Sequence, residues 1–341
     1  TLNKRFPLAI SRGVHYNSEN LFVRFEKDGI FGWGEAAPGK TEGAGTISQV
    51  KQSIEEFISE GIEGQSIQKL YDRSRQLNVP PCAYVGLDTA FWDWTSKKAG
   101  MPLYQMLGFS KPFRPTSITI GINTPEVVKE RVPILLEGTT VKSLKIKLGS
   151  PEGIEADKSM FEQVVESTRK YNVKIRVDAN GGWNLSDAKK MMPWLAERDV
   201  DYIEQPLKEG EEGYLKELFK NRALPIYVDE SCRYSKDIPS FAEHVDGVNM
   251  KLMKCGGITE ALRIIGTARA YKLKTMIGCM SESSVSIAAA ASLTGGIDHI
   301  DLDSHYNLSP DPAMGAPLIN GITLPQEIPG HGAELKKEFY A

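Results

Sequence analysis

The chain has 341 residues, 41% of them apolar and 25% charged, with a formal net charge of −3. That is ordinary for a globular protein and long enough for a barrel with an appended module. The charge balance gives no electrostatic reason to expect nucleic acid or an anionic membrane as partner, and no apolar run is long enough to span a bilayer.

The first third of the chain follows no βα rhythm. Its start, Thr1-Leu2-Asn3-Lys4-Arg5-Phe6, has no signal-peptide core, and the leading Thr suggests that at least a methionine is missing. Ile10 to Glu19 reads as a loop. Leu21 to Phe25 reads as a strand, Asp28-Gly29 as its turn and Phe31 to Glu35 as the return strand. Helices are predicted at 47–58, 67–76 and about 83–98, the last with Val85, Leu87, Ala90, Phe91 and Trp94 at helical spacing. Residues 1–115 thus read as an α+β module.

Alternation begins at Thr116. Strands are predicted at 117–121, 144–148, 174–178, 201–204, 225–229, 246–251, 274–278 and 297–301. Helical stretches lie between them, near 125–137, 152–171, 185–198, 210–221, 235–243, 258–271 and 283–294. Eight strands with seven helices make an α/β fold of the (β/α)7β kind over 116–310, a TIM-like barrel whose last helix is replaced. After Asp303 the chain turns Pro- and Gly-rich. Residues 311–341 are expected to run back and complete a capping domain with the N-terminal region.

Three apolar runs end in carboxylates, Asp178, Glu204 and Asp229, at intervals of 26 and 25 residues (204 − 178 and 229 − 204). Polar residues at the C-terminal ends of successive parallel strands converge on one mouth of a barrel. A carboxylate there can simply cap the following helix. Three in succession point instead to a shared cation, because isolated buried carboxylates are costly, and hard oxygen ligands fit Mg²⁺. Glu230 is the rival for the third ligand, but strand alternation sends Asp229 and Glu230 to opposite sides. Lys145 and Lys147 share one face of a buried strand, and Lys251 ends another. Burial and neighbouring cations are expected to lower a lysine into the range of a general base. A cation holding a substrate carboxylate between two such lysines suits removal of a proton alpha to that carboxylate.

These motifs carry a resemblance. Gly32-Trp33-Gly34-Glu35, Ala90-Phe91-Trp92-Asp93-Trp94, Lys145-x-Lys147, Asp178-x-Asn180, Glu204-Gln205-Pro206, Asp229-Glu230-Ser231 and Lys251 together resemble the enolase superfamily, muconate-lactonizing-enzyme subgroup. Enolase-type sites are an established case of a lysine base working with Mg²⁺, so the chemistry above is that of the family and not an independent deduction. The resemblance implies one Mg²⁺ on Asp178, Glu204 and Asp229, Lys147 and Lys251 as acid/base pair across an enediolate, and Lys145 assisting its neighbour.

The subgroup includes muconate cycloisomerases, o-succinylbenzoate synthases, N-acylamino acid racemases and dipeptide epimerases. Asp301 and Asp303 share a face at the end of the eighth strand and suit a cationic substrate end such as an α-ammonium; an anionic muconate or succinyl group would be repelled. Asp301-x-Asp303 is similar to the dipeptide epimerases' signature. Arg12 resembles the loop arginine that meets the glutamate side chain in epimerases acting on L-Ala-D/L-Glu, and its planar fork suits a carboxylate. Ser281 joins these as a substrate-binding candidate. The expectation is therefore a Mg²⁺-dependent dipeptide epimerase acting on L-Ala-D/L-Glu or a related X-Glu, placed in the cytoplasm, with a homo-oligomer left open. A barrel that only binds is the non-catalytic alternative. Cys82, Cys232, Cys255 and Cys279 form no C-x-x-C pair and read as core residues, and the five histidines show no ligand spacing.

Overall fold

The computed structural model describes residues 1–340. Its N-terminal part opens with two antiparallel hairpins, β1 (Leu2–Ile10) with β2 (Gly13–Ser18), and β3 (Leu21–Lys27) with β4 (Ile30–Ala36). The second follows from sequence: Asp28 and Gly29 both take positive φ, 56° and 72°, as a two-residue hairpin turn matched to the strand twist requires. The first corrects the loop expected at 10–19. Its strand β2 is almost wholly exposed, so no buried alternation marks it in the sequence.

Three helices follow, α1 (Ile47–Ser59), α2 (Ile67–Gln76) and α3 (Pro81–Lys98), with a short α4 (Leu103–Met106) after them. α1 begins with a capping box, in which the Thr46 side chain accepts from the Gln49 N–H and the Gln49 side chain reaches back. α3 is buried along most of its length and packs directly on β4. The glycines of β4 make that possible: a Cβ on Gly34 would sit 1.9 Å from the Gly86 carbonyl oxygen, and one on Gly32 2.1 Å from that of Ala90.

The barrel strands are β5 (Ile118–Ile120), β6 (Ser143–Lys147), β7 (Lys174–Asp178), β8 (Val200–Glu204), β9 (Ile226–Val228), β10 (Gly247–Met250), β11 (Lys274–Ile277) and β12 (His299–Ile300). All neighbours pair in parallel and in chain order. The sheet closes where Thr116 bridges Ile300 and the Ser117 N–H donates to the Ile300 carbonyl at 3.1 Å. Around it lie α5 (Pro125–Leu136), α6 (Ile154–Thr168), α7 (Leu185–Ala196), α8 (Leu215–Lys220), α9 (Leu252–Cys255), α10 (Ile258–Ala270) and α11 (Ser284–Ala291). The protein is thus a (β/α)7β barrel with an α+β cap. Two expected helices are corrected. At 235–243 there are only 3₁₀ turns, Ser235–Ser240 and Ala242–His244, with Pro239 inside the first. At 210–221 a 3₁₀ turn shortens the helix to α8.

Past the barrel the chain returns to the cap. Ala313–Met314 pairs with Glu334–Leu335, and Trp33 packs with Val285, Ala313 and Leu335. The buried His331 ring bonds the Trp33 carbonyl at 2.9 Å, and the His331 backbone N–H donates to Asp93 at 2.8 Å. Carboxylates of the cap also receive the N-termini of barrel helices. Glu35 accepts from the N–H groups of Ser283 and Ser286 at the start of α11, and Asp88 from the Thr259 N–H and hydroxyl at the start of α10.

Candidate active site

Inward-facing residues of successive strands meet at the C-terminal mouth of the barrel. Asp178 closes β7, Glu204 closes β8 and Asp229 follows β9; all three are fully buried, and one carboxylate oxygen of each lies within 4.8 Å of the others. Glu230 points away from this cluster, to Arg12. Three buried carboxylates so close repel one another. Burial first, and then the Asp178 charge, push Glu204 up to about 8. Glu204 Oε2 and both Asp229 oxygens accept no hydrogen bond of good geometry and are faced only by ammonium groups. Such a set of exclusively hard, under-used oxygens fits Mg²⁺.

Lysines surround the triad. The fully buried Lys145 lies 2.6 Å from Asp301, 2.7 Å from Glu204 and 3.3 Å from Asp178. Lys147 lies 2.5 Å from Asp178, and Lys251 lies 2.7 Å from Asp229. Strands β6 and β10 flank β7–β9, so these last two lysines stand on either side of the triad. The expectation of lowered lysines does not hold for Lys145 and Lys251. Burial pulls each down, but the carboxylates beside them more than offset it and hold both above the usual lysine range.

Several supports were not singled out from sequence. Lys254, on α9, ion-pairs with Asp229 and bonds the carbonyls of Asp229, Cys232 and Asn249. Asn249 donates to Glu204 at 2.7 Å, and Gln205 accepts from the Asp229 N–H at 2.8 Å. Asn249 stands two before Lys251 on one strand face, a period-2 signal that could have found it. Lys254 is legible only as one turn beyond Lys251.

The cavity above the triad has a volume of about 1390 Å³ and is bounded by the β1–β2 hairpin on one side. Lys147, Lys251, Asp301 and Asp303 line it, with Ile10, Arg12, Met280 and Ser281. The two aspartates differ. Asp301 accepts from Lys145 and, at 2.6 Å, from the Ser117 hydroxyl, so its carboxylate belongs largely to the barrel interior. Asp303 accepts from the Thr119 N–H at 2.6 Å and is pushed up to about 6 by burial and the Asp301 charge. Ser281 accepts from Lys4, and its carbonyl accepts from Asn20 at 2.8 Å. Arg12 has protein partners of its own, Glu230 and the Asn180 carbonyl. All four cysteines are free.

Comparison with known proteins agrees with this geometry. Residues 128–339 match the model described as enolase C-terminal domain-like, and residues 1–108 match the mandelate racemase / muconate lactonizing enzyme N-terminal domain. The chain is 78% identical to a protein of Flavobacteria bacterium named hydrophobic dipeptide epimerase, covering 100% of this chain and 98% of the relative. It is 58% identical to a protein of the same name from Roseobacter litoralis, covering 98% and 96%. A crystal structure of a dipeptide epimerase from Enterococcus faecalis, complexed with Mg and the dipeptide L-Leu-L-Tyr, superposes with a TM-score of 0.90 at 32% identity, covering 97% of this chain and 96% of that one.

Proposed function

The chain belongs to the mandelate racemase / muconate lactonizing enzyme family of the enolase superfamily, and from that premise we propose that it epimerises dipeptides at the α-carbon of their C-terminal residue, acting on hydrophobic side chains. It is an isomerase, a dipeptide epimerase that works with Mg²⁺. The observation that carries the mechanism is the placement of Lys147 and Lys251 on opposite sides of a carboxylate triad. Asp178, Glu204 and Asp229 would hold the metal, which when bound neutralises their charge and polarises the substrate carboxylate. One lysine removes the α-proton from its face, and the other delivers a proton to the opposite face, which inverts the centre. Lys145, fixed by three carboxylates, adds a permanent positive charge beneath the reacting carboxylate.

Asp303, with Asp301 behind it, meets the dipeptide's α-ammonium. Ser281 and Met280 form a wall of the substrate cavity, and Phe6, Leu8, Ile10 and Ile118 give it apolar surface. That surface and the names of the 78% and 58% identical relatives favour a hydrophobic residue over the glutamate expected from Arg12. Incubating a panel of X-Leu, X-Tyr and X-Glu dipeptides with enzyme and Mg²⁺ in D₂O tests the reading. Deuterium should enter the C-terminal α-position as the second diastereomer accumulates, fastest with X-Leu and X-Tyr. Turnover of N-acylamino acids in preference to free dipeptides would overturn it.

A further inference from the structure

The β1–β2 hairpin meets the barrel mouth at its tip. Ile10 pairs with Gly13, leaving Ser11-Arg12 as a two-residue turn, and Gly13 holds a φ of 140° that few other residues tolerate. The turn presents Arg12 to two barrel loops at once. Its Nη2 lies 2.8 Å from Glu230 in the loop after β9, and its Nη1 donates at 3.0 Å to the Asn180 carbonyl in the loop after β7. The Ser11 hydroxyl donates to the same carbonyl at 2.8 Å. Both loops adjoin members of the carboxylate triad: Glu230 follows Asp229, and Asn180 donates its N–H to Asp178 at 2.8 Å. Asn180 also donates from its side chain to Glu230 at 3.2 Å, which completes a ring from hairpin to triad.

We propose that Arg12 is a latch, a positioning residue that fastens the hairpin over the barrel mouth and ties the loops after β7 and β9 together, and does not read a substrate carboxylate. Both Nη atoms are engaged by the protein, and the Arg12–Glu230 pair is neutral as a unit. A side-chain carboxylate entering here would have to displace Glu230, whose side chain is only 14% exposed, and leave that charge nearly buried without its cation. An apolar side chain makes no such demand. This rests on the hydrophobic reading above and supplies a physical reason for it: the arginine is present, but its charge is already answered.

Two measurements on the full-length, Mg²⁺-loaded protein test the latch. Hydrogen exchange without substrate should show faster exchange across residues 8–18 in Arg12→Met and Glu230→Gln, with the double variant no faster than either single one. Kinetically, Arg12→Met should lower kcat/KM for X-Leu and X-Glu alike, by about three- to tenfold as a half-exposed ion pair warrants, with Arg12→Lys recovering part of the loss. A selective loss on X-Glu of more than tenfold, or unchanged exchange in the hairpin, would overturn the latch. Because exchange is read without substrate, a wild type inactive on dipeptides would refute the functional reading and leave the latch to the exchange comparison.

Discussion

Asp178, Glu204 and Asp229 are tolerable together only because four ammonium groups lie among them, and the role proposed for them predicts distinct outcomes for single changes. Asp178→Asn or Glu204→Gln should abolish turnover while far-UV circular dichroism stays that of the wild type, and EDTA should do the same reversibly. Full activity in an EDTA-dialysed preparation would remove the metal from the account. The two aspartates at β12 separate by their contacts. Asp301→Asn takes a partner from Lys145 and should lower kcat, whereas Asp303→Asn should chiefly raise KM. N-acetylation of the dipeptide should cost kcat/KM roughly tenfold or more, since charge-assisted hydrogen bonds contribute about 1.5–3 kcal/mol; equal rates for both forms would reassign the pair. At this scale the sequence was informative where periodicity acts. Alternation separated Asp229 from Glu230, and the structure places Glu230 against Arg12. It was silent on Lys254, whose role depends on how the short helix α9 folds back over the loop after β9.

The elements were legible in proportion to their burial. Barrel strands are short apolar runs and α3 is buried on nearly every side, so both leave a pattern. Strand β2 is exposed throughout and leaves none, and the turns at 235–244 are broken by Pro239 and capped by Asp237. Equally invisible were the contacts by which cap carboxylates receive helix starts. Glu35, fully buried, is pushed up to about 7 by burial, against the hydrogen bonds from Ser283 and Asn20 that pull it down. Its folded value therefore lies above its unfolded one near 4.5. The folded state then binds more protons between those values, so the group's contribution is complete below about 4.5 and is lost as pH rises through about 7. Thermal melts of wild type and Glu35→Gln at pH 5 and pH 8 check this. The wild type should lose stability relative to the variant on going to pH 8, by on the order of a few kcal/mol. Parallel melts at both pH values would show that the cap interface does not sense this proton.

For the whole molecule, the barrel and its cap were legible in the βα rhythm, the eight strands and the resemblance in the motifs. The tail's return to the N-terminal region was expected, but its individual strands were not legible, because each is two residues long. We propose that residues 1–115 and 311–341 form one capping unit over the barrel 116–310, supported by Trp33 packing with Ala313 and Leu335 and by the bond from His331 to Trp33. The cap brings the hairpin to the mouth, and in the mechanism proposed above the barrel brings Lys147 and Lys251 to the two faces of one substrate carbon. That arrangement is the central claim, and the most direct measurement is deuterium exchange at the C-terminal α-position of single diastereomers of a hydrophobic dipeptide. Wild type should exchange and interconvert both. Lys147→Ala and Lys251→Ala should each lose epimerisation, and each should retain exchange on one diastereomer only, the two variants choosing opposite ones. If either variant still epimerises, or both retain exchange on the same diastereomer, the two-face mechanism is contradicted.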